Sequence, residues 1–219
     1  MLVMPREMSE PTVRSGFCAI VGLPNVGKST LLNRVLGKKL VAVSAKPQTT
    51  RDRIVGVHVV ETEGGRAQIA YVDTPGLQDG RGPLRRYMRE AALAAAADAD
   101  MVLLIVDATD KRGRAPDEPD AAPLVVAGTQ KPLVVALNKV DRVAKPELLP
   151  VIEAWTKAHA GIDVVPISAQ TGDNVDRLER VIAEKLPESP LLFPEEMVTD
   201  RSPQFIAQEI IREQLYHQL

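Results

Sequence analysis

Only one cysteine occurs among the 219 residues, and aromatic side chains make up 3% of them. The single thiol, Cys18, excludes an internal disulfide and a cysteine-built metal cluster. Its place in the apolar run Phe17-Cys18-Ala19-Ile20-Val21 marks it as a buried core thiol, a usage that fits a reducing compartment. Long hydrophobic runs are also missing. No stretch reaches the ~20 consecutive apolar residues that a membrane helix needs. Met1 to Ser15 mixes Arg6, Glu7, Glu10 and Arg14 with prolines and lacks the apolar centre of a signal peptide, so it reads as a frayed tail on a cytoplasmic protein. Charge of one sign is scarce as well. A net charge of −2 and a pI near 6.0 give no global signature of a nucleic-acid partner or an anionic surface, so any such contact must be local. What is abundant is apolar content, 45%, enough for the core of one ordinary domain with part of another.

Short aliphatic and β-branched runs alternate with helical stretches. Phe17–Val21, Ile54–Val60, Gln68–Val72, Met101–Val106, Leu133–Leu137 and Val164–Ile167 read as strands. Several are apolar at consecutive positions, as strands covered on both faces of a parallel sheet are. The turn Glu63-Gly64-Gly65-Arg66 joins two of them as a hairpin, so one sheet edge should be antiparallel. Helical spacing of leucine, alanine and charged residues places helices at Lys28–Leu36, Arg85–Ala97, Pro146–His159 and Val175–Leu186. Lys111 to Pro123, polar and proline-bearing, reads as a surface loop entering another helix. The fold class is therefore α/β: a mostly parallel six-stranded sheet with one antiparallel edge strand and helices on both faces.

After Leu186 the texture changes to Pro187-Glu188-Ser189-Pro190 and Phe193-Pro194, the composition of an interdomain linker. Beyond it, a helix from about Pro203 to Leu219 carries Phe205, Ile206, Ile210, Ile211 and Leu215 on an apolar face that a lone helix could not bury. The expected organisation is a flexible tail over 1–16, a main domain over 17–186, a linker over 187–202, and over 203–219 the start of a second domain.

Directly after the first strand comes Gly22-Leu23-Pro24-Asn25-Val26-Gly27-Lys28-Ser29, a full P-loop pattern that opens a helix. Its glycines let the backbone wrap a phosphate chain, so that N–H groups and the positive end of the following helix face the oxygens. Lys28 brings a mobile charge to the β- and γ-phosphates, and Ser29 offers a hydroxyl to Mg²⁺. Thr30, next in the chain, is counted with the nucleotide-binding set Gly22, Pro24, Asn25, Val26, Gly27, Lys28 and Ser29.

A second element, Asp73-Thr74-Pro75-Gly76, ends another strand and so reaches the same sheet edge. Asp73 is placed to hold Mg²⁺ through water, and Gly76 to bring its N–H to the γ-phosphate. Between the two lies Thr49-Thr50-Arg51-Asp52. Thr50 is the candidate switch hydroxyl, binding Mg²⁺ only when the γ-phosphate is present. Lys28, Thr50 and Gly76 form the expected catalytic set, and Ser29, Thr50 and Asp73 the metal set.

Two further strands end on Asn138-Lys139-Val140-Asp141 and Ser168-Ala169. A carboxylate at Asp141 accepts hydrogen bonds from the ring N–H and the exocyclic amine of guanine, whereas adenine would leave it facing an acceptor. Asn138 braces the loop, the stem of Lys139 covers the base, and the Ala169 N–H is expected to meet the guanine carbonyl. All these elements in one order, each at the end of a strand, point to GTP and GDP.

On these motifs the chain resembles the Era branch of the translation-factor-related GTPases, whose five nucleotide motifs match at Gly22–Ser29, Thr50, Asp73–Gly76, Asn138–Asp141 and Ser168–Ala169. The likeness extends to Lys46-Pro47-Gln48-Thr49-Thr50-Arg51 and to Phe193-Pro194 through Glu213, and covers the chain from about Phe17 onward. It implies a GTP-hydrolysing switch followed by a type II KH domain that binds small-subunit (16S) ribosomal RNA during 30S assembly, with no role for DNA. Leu191 to Leu219 contain no Gly-x-x-Gly clamp, so the resemblance implies that most of the KH domain lies outside these residues and that α-helical 203–219 is its first helix. It leaves peripheral association with the inner membrane open.

Many GTPases place a water-orienting glutamine after Asp-x-x-Gly. This chain has Leu77 there, so slow intrinsic turnover is expected and no general base is named. Asn25 matches the asparagine that binds K⁺ in potassium-stimulated relatives, which makes K⁺ a candidate second cofactor beside Mg²⁺. Arg81, Arg85, Arg86 and Arg89 read as a solvated helix face before they read as a contact for RNA. Two alternatives stand beside the main reading: a related GTPase acting in tRNA modification, and a scaffold that holds nucleotide without hydrolysing it.

Overall fold

Four consecutive apolar residues at Cys18–Val21 and six at Met101–Val106 require cover on both faces, and a sheet sandwiched between helices supplies it. The computed structural model describes residues 12–43, 54–74, 76, 83–110, 131–159 and 161–218, with the backbone alone for 83–85, 87–89, 216 and 217. Strands β1 (Thr12–Val21), β2 (Ile54–Thr62), β3 (Gly65–Asp73), β4 (Met101–Asp107), β5 (Leu133–Asn138) and β6 (Asp163–Pro166) form one sheet in the order β2-β3-β1-β4-β5-β6. β2 and β3 pair antiparallel across the Glu63–Gly64 turn, and every other neighbouring pair is parallel. Helices α1 (Lys28–Val35), α2 (Pro83–Asp98), α3 (Lys145–Ala158), α4 (Val175–Lys185) and α5 (Pro203–Gln218) complete the described elements with one 3-10 turn, Val140–Arg142. The expected fold class is the one observed.

Alternation along the strands sorts the core into two layers. Cys18, Ile20, Ile69, Tyr71, Leu103 and Ile105 meet Leu31, Leu32 and Val35 of α1 and Leu178 and Ile182 of α4. Val21, Val102, Leu104, Val106, Val135 and Leu137 face the other way, against Ala92 and Ala96 of α2 and Leu148, Val151 and Trp155 of α3. Each fully buried aliphatic or aromatic side chain contributes about 1.5–3 kcal/mol relative to exposure. Cys18 is completely buried, which pushes its thiol pKa far up and leaves it unreactive, in line with a core role.

Two segments depart from the sequence reading. β1 begins at Thr12, five residues before Phe17, and pairs from Thr12↔Gly65 to Ile20↔Asp73, so the part of the expected tail from Thr12 to Gly16 belongs to the sheet. Thr12-Val13-Arg14-Ser15-Gly16 offers one apolar residue, Val13, and that residue is exposed, so the strand is held by ladder bonds rather than by a readable apolar pattern. The segment expected as a linker packs along the sheet. Ser15 Oγ donates to Pro190 O at 2.5 Å, Gln68 accepts from the Leu192 and Phe193 N–H groups at 2.8 and 2.9 Å, and Phe17 meets Phe193 edge to face. Val57 N–H donates to Val198 O at 2.9 Å, continuing the edge of β2.

The apolar face expected on the last helix is split. Phe205 and Ile206 pack against the α1 layer, while Ile210, Ile211 and Leu215 stay exposed. Two buried carboxylates hold α5 in place: Glu209 accepts the Ala42 N–H at 3.2 Å, and Glu213 pairs with Lys39 at 2.8 Å. Among the described residues no helix is long and apolar enough to cross a membrane. Thr50, Leu77, Arg81 and the loop expected over Lys111–Pro123 lie outside the described residues, as do the side chains of Arg85 and Arg89; Arg86 is exposed on α2.

Candidate nucleotide site

β1 has β3 on one side and β4 on the other, so the chain leaves its C-terminal end where the strand order reverses, the crevice in which open α/β sheets bind ligands. The P-loop occupies that crevice, running from Gly22 to the left-handed Gly27 that precedes α1. Gly27 has φ 104°, and a Cβ there would fall 2.3 Å from Asn138 Nδ2. Only glycine satisfies both conditions. Gly22, with φ 153°, and Asn25, with φ 63°, are the other residues of the loop with positive φ.

Lys28 is 7% exposed, and its ammonium donates to Gly22 O at 3.0 Å and Leu23 O at 2.8 Å, so it lies folded under the loop it would serve. Burial lowers its pKa to about 8, against the opposing pull of the Asp73 carboxylate. Ser29 Oγ donates to Asp73 Oδ2 at 3.2 Å, which brings together two of the three expected metal ligands. Asp73 closes β3 fully buried, and Thr74 beside it donates its hydroxyl to Ile20 O at 2.7 Å, tying this strand end to β1. Gly76 approaches the same point: a Cβ on it would stand 3.0 Å from Pro24 Cα and 3.2 Å from Lys28 Nζ.

The Ser29–Asp73 pair fits Mg²⁺ by its chemistry. Both are hard oxygen donors, the kind Mg²⁺ prefers, and they are already in contact.

The base side is built from the ends of β4, β5 and β6. Asn138 is 2% exposed and makes the central link: its Nδ2 donates to Val26 O at 2.7 Å, and its Oδ1 accepts the Ala169 N–H at 2.9 Å. One side chain thus joins the phosphate loop to the loop after β6. The Ala169 N–H, expected to meet a base carbonyl, is donated to Asn138 instead. Lys139 takes a left-handed backbone at φ 67°, and its ammonium pairs with Asp107 at 2.5 Å, which stretches the aliphatic stem across the site. Asp141 is partly exposed, with Arg142 Nε 3.8 Å away. Ser168 is fully buried and accepts the Thr171 N–H at 3.1 Å, closing the turn that carries Ala169. Thr30 follows Ser29 on α1.

Sequence reasoning missed Asp107, Thr74 and Arg34. Asp107 had a signal, since it ends β4 at the same sheet edge and stands in register with Asn138. Arg34 had none: it lies six residues into α1 and meets the 168–172 turn only in three dimensions.

Residues 17–139 match the family described as 50S ribosome-binding GTPase. GTPase Era of Geobacter metallireducens is 46% identical over 209 residues, which are 95% of this chain and 68% of that protein. The chain belongs to the Era family of GTPases. Among solved structures, Aquifex aeolicus Era bound to GDP·AlF4⁻ superposes with a TM-score of 0.78 at 40% identity, over 91% of this chain and 66% of that one. Era in complex with MgGDPNP and nucleotides 1506–1542 of 16S ribosomal RNA matches with the same TM-score at 39% identity, over 92% and 66%. The chain therefore spans about two thirds of the length of these Era proteins, and it belongs with them to a family of GTP-hydrolysing enzymes.

Proposed function

We propose that this chain is the nucleotide-driven part of an Era-type switch, which binds GTP with Mg²⁺, hydrolyses it slowly to GDP and phosphate, and acts in the cytoplasm on assembly of the small ribosomal subunit. The observation that carries the reading is the bridge at Asn138, which fixes the Lys28 loop and the Asp141 and Ala169 loops as parts of a single crevice. Lys28 would exchange its two carbonyl acceptors for β- and γ-phosphate oxygens, a charge-assisted gain over neutral partners. Ser29 and Asp73 would hold Mg²⁺, whose chemistry there is to neutralise charge building on the phosphates. Gly76 N–H would contact the γ-phosphate, and Thr50 would add the hydroxyl that distinguishes GTP from GDP. Asn25 is proposed as a K⁺ ligand, a role that equal turnover in KCl and NaCl would remove.

The complex of Era with 16S ribosomal RNA supports the same target for the full protein here, through a KH domain whose first helix would be α5, with 187–202 as the connection. Phosphate release from GTP should exceed that of Lys28→Ala, and the full-length protein should bind the 3′ end of 16S RNA more tightly with GDPNP than with GDP. Hydrolysis no faster than Lys28→Ala would instead favour a nucleotide-holding scaffold, the reading that Leu77 in place of glutamine keeps in play. RNA affinity indifferent to the nucleotide would overturn the switch.

A further inference from the structure

Strands β4 and β5 end in register, Asp107 opposite Asn138, and the Ala108 N–H donates to Asn138 O at 2.9 Å, so the chain leaves both strands side by side. Asp107 is fixed by its own turn. Its Oδ1 accepts the Thr109 N–H at 2.9 Å and the Thr109 hydroxyl at 2.7 Å, and its backbone carbonyl accepts the Asp110 N–H at 3.2 Å. That leaves Oδ2 for the Lys139 ammonium, at 2.5 Å, with the Asp107 side chain only 14% exposed. A carboxylate already held on one oxygen loses little further freedom when it takes a cation on the other, which makes the pair stronger than one between two loose surface chains.

Lys139 is where β5 gives way to the 3-10 turn Val140–Arg142 that carries Asp141. The change of direction takes φ 67° and ψ 33° at Lys139, a left-handed backbone that a residue with a Cβ disfavours. Such a conformation persists only where its surroundings over-determine it. On either side, Asn138 is fastened by its amide and Val140 by its N–H to Ile167 O at 3.2 Å, while Arg142 N–H closes the turn on Lys139 O at 3.0 Å. Among the described residues, the polar partner of the Lys139 side chain is Asp107.

We infer that Asp107 is a positioning residue for the base side of the crevice: locked by Thr109, it holds the Lys139 ammonium and so offsets the cost of the left-handed backbone that leads the chain to Asp141. The inference rests on the nucleotide reading above and adds to it a carboxylate that lies outside the nucleotide motifs.

The test uses the chain as it stands, in Mg²⁺, and follows release of a GDP analogue carrying a fluorophore on its ribose. Asp107→Asn keeps an oxygen for Thr109 but sets an amide against the ammonium, so release should speed about three- to tenfold. Glycine at position 139 separates the backbone from the side chain, because glycine enters the left-handed region freely. Lys139→Ala and Lys139→Gly lose the same stem and charge, yet Lys139→Gly should release the analogue more slowly than Lys139→Ala, by about threefold or more. In the Lys139→Gly protein, Asp107→Asn should add nothing; a role confined to the turn with Thr109 would give the same acceleration in both backgrounds. Wild-type release from Asp107→Asn, undiminished acceleration in the Lys139→Gly protein, or equal release from the glycine and alanine variants overturns the inference. Should Asp107→Asn not fold, Thr109→Val, which removes one of the donors that fix the carboxylate, must show the same pattern in smaller measure. Failure of the wild type to bind the analogue would instead sink the nucleotide reading, before any variant is compared.

Discussion

Replacing Asn138 by alanine separates the two halves of the crevice, and the structure sets the size of the effect. The change orphans the Val26 carbonyl and the Ala169 N–H, both in a region where Asn138 itself is 2% exposed. An unsatisfied buried polar group costs about 1–3 kcal/mol, and the space vacated by the side chain admits water that offsets part of it, so a loss of roughly 2–4 kcal/mol is expected. For a chain of this size each kcal/mol lowers the melting temperature by about 2–4 °C, which places the nucleotide-free variant roughly 5–15 °C below wild type. Asn138→Asp should fare no better: its carboxylate still accepts from Ala169 N–H but faces the Val26 carbonyl with no donor. Lys139→Ala, which removes a partly exposed pair with Asp107, should cost under about 1 kcal/mol. Thermal unfolding followed by circular dichroism, without nucleotide, measures all three. An Asn138→Ala protein that melts within a degree of wild type would refute the claim that this side chain fastens the crevice.

Other consequences are as specific. His58 Nδ1 lies 2.8 Å from Glu179, a buried carboxylate that also accepts from Tyr71 OH at 3.2 Å. The hydrogen bond to Glu179 raises the His58 pKa, so its stabilisation is complete below the unfolded value, about 6.5, and is lost as pH climbs through the raised folded value. The melting-temperature gap between wild type and His58→Ala should therefore be widest near pH 6 and close on the alkaline side; a gap that widens with pH would contradict the pairing. Gly76→Ala would push a methyl group against Pro24 and the Lys28 ammonium, so phosphate release should fall at least about tenfold while the melting temperature changes little. Glu209→Ala removes the buried acceptor of the Ala42 N–H, and native-state hydrogen exchange at that amide should accelerate about tenfold or more; unchanged exchange would show that α5 does not secure it.

The fold and the nucleotide motifs were legible because each is a local pattern. Met101–Val106 declares a central strand by being apolar throughout, and Gly22–Ser29 declares a phosphate loop by spacing between a strand and a helix. What could not be read depends on partners far along the chain. Thr12–Gly16 carries no apolar alternation and becomes a strand only because β3 offers it a parallel edge. Glu209 reads as an ordinary solvent-facing helix residue until Ala42, 167 residues earlier, is brought against it. The commitment of Ala169 N–H to Asn138 likewise follows from the register of β5 and β6, which no tetrapeptide contains.

The central claim is that Lys28 and Asp141 serve the two ends of one bound guanine nucleotide, and titration calorimetry of the purified chain with GDP and with ADP, in Mg²⁺, meets it head on. The account predicts saturable one-to-one binding of GDP and none of ADP at the same concentrations. Equal binding of the two, or heat from neither, would contradict it.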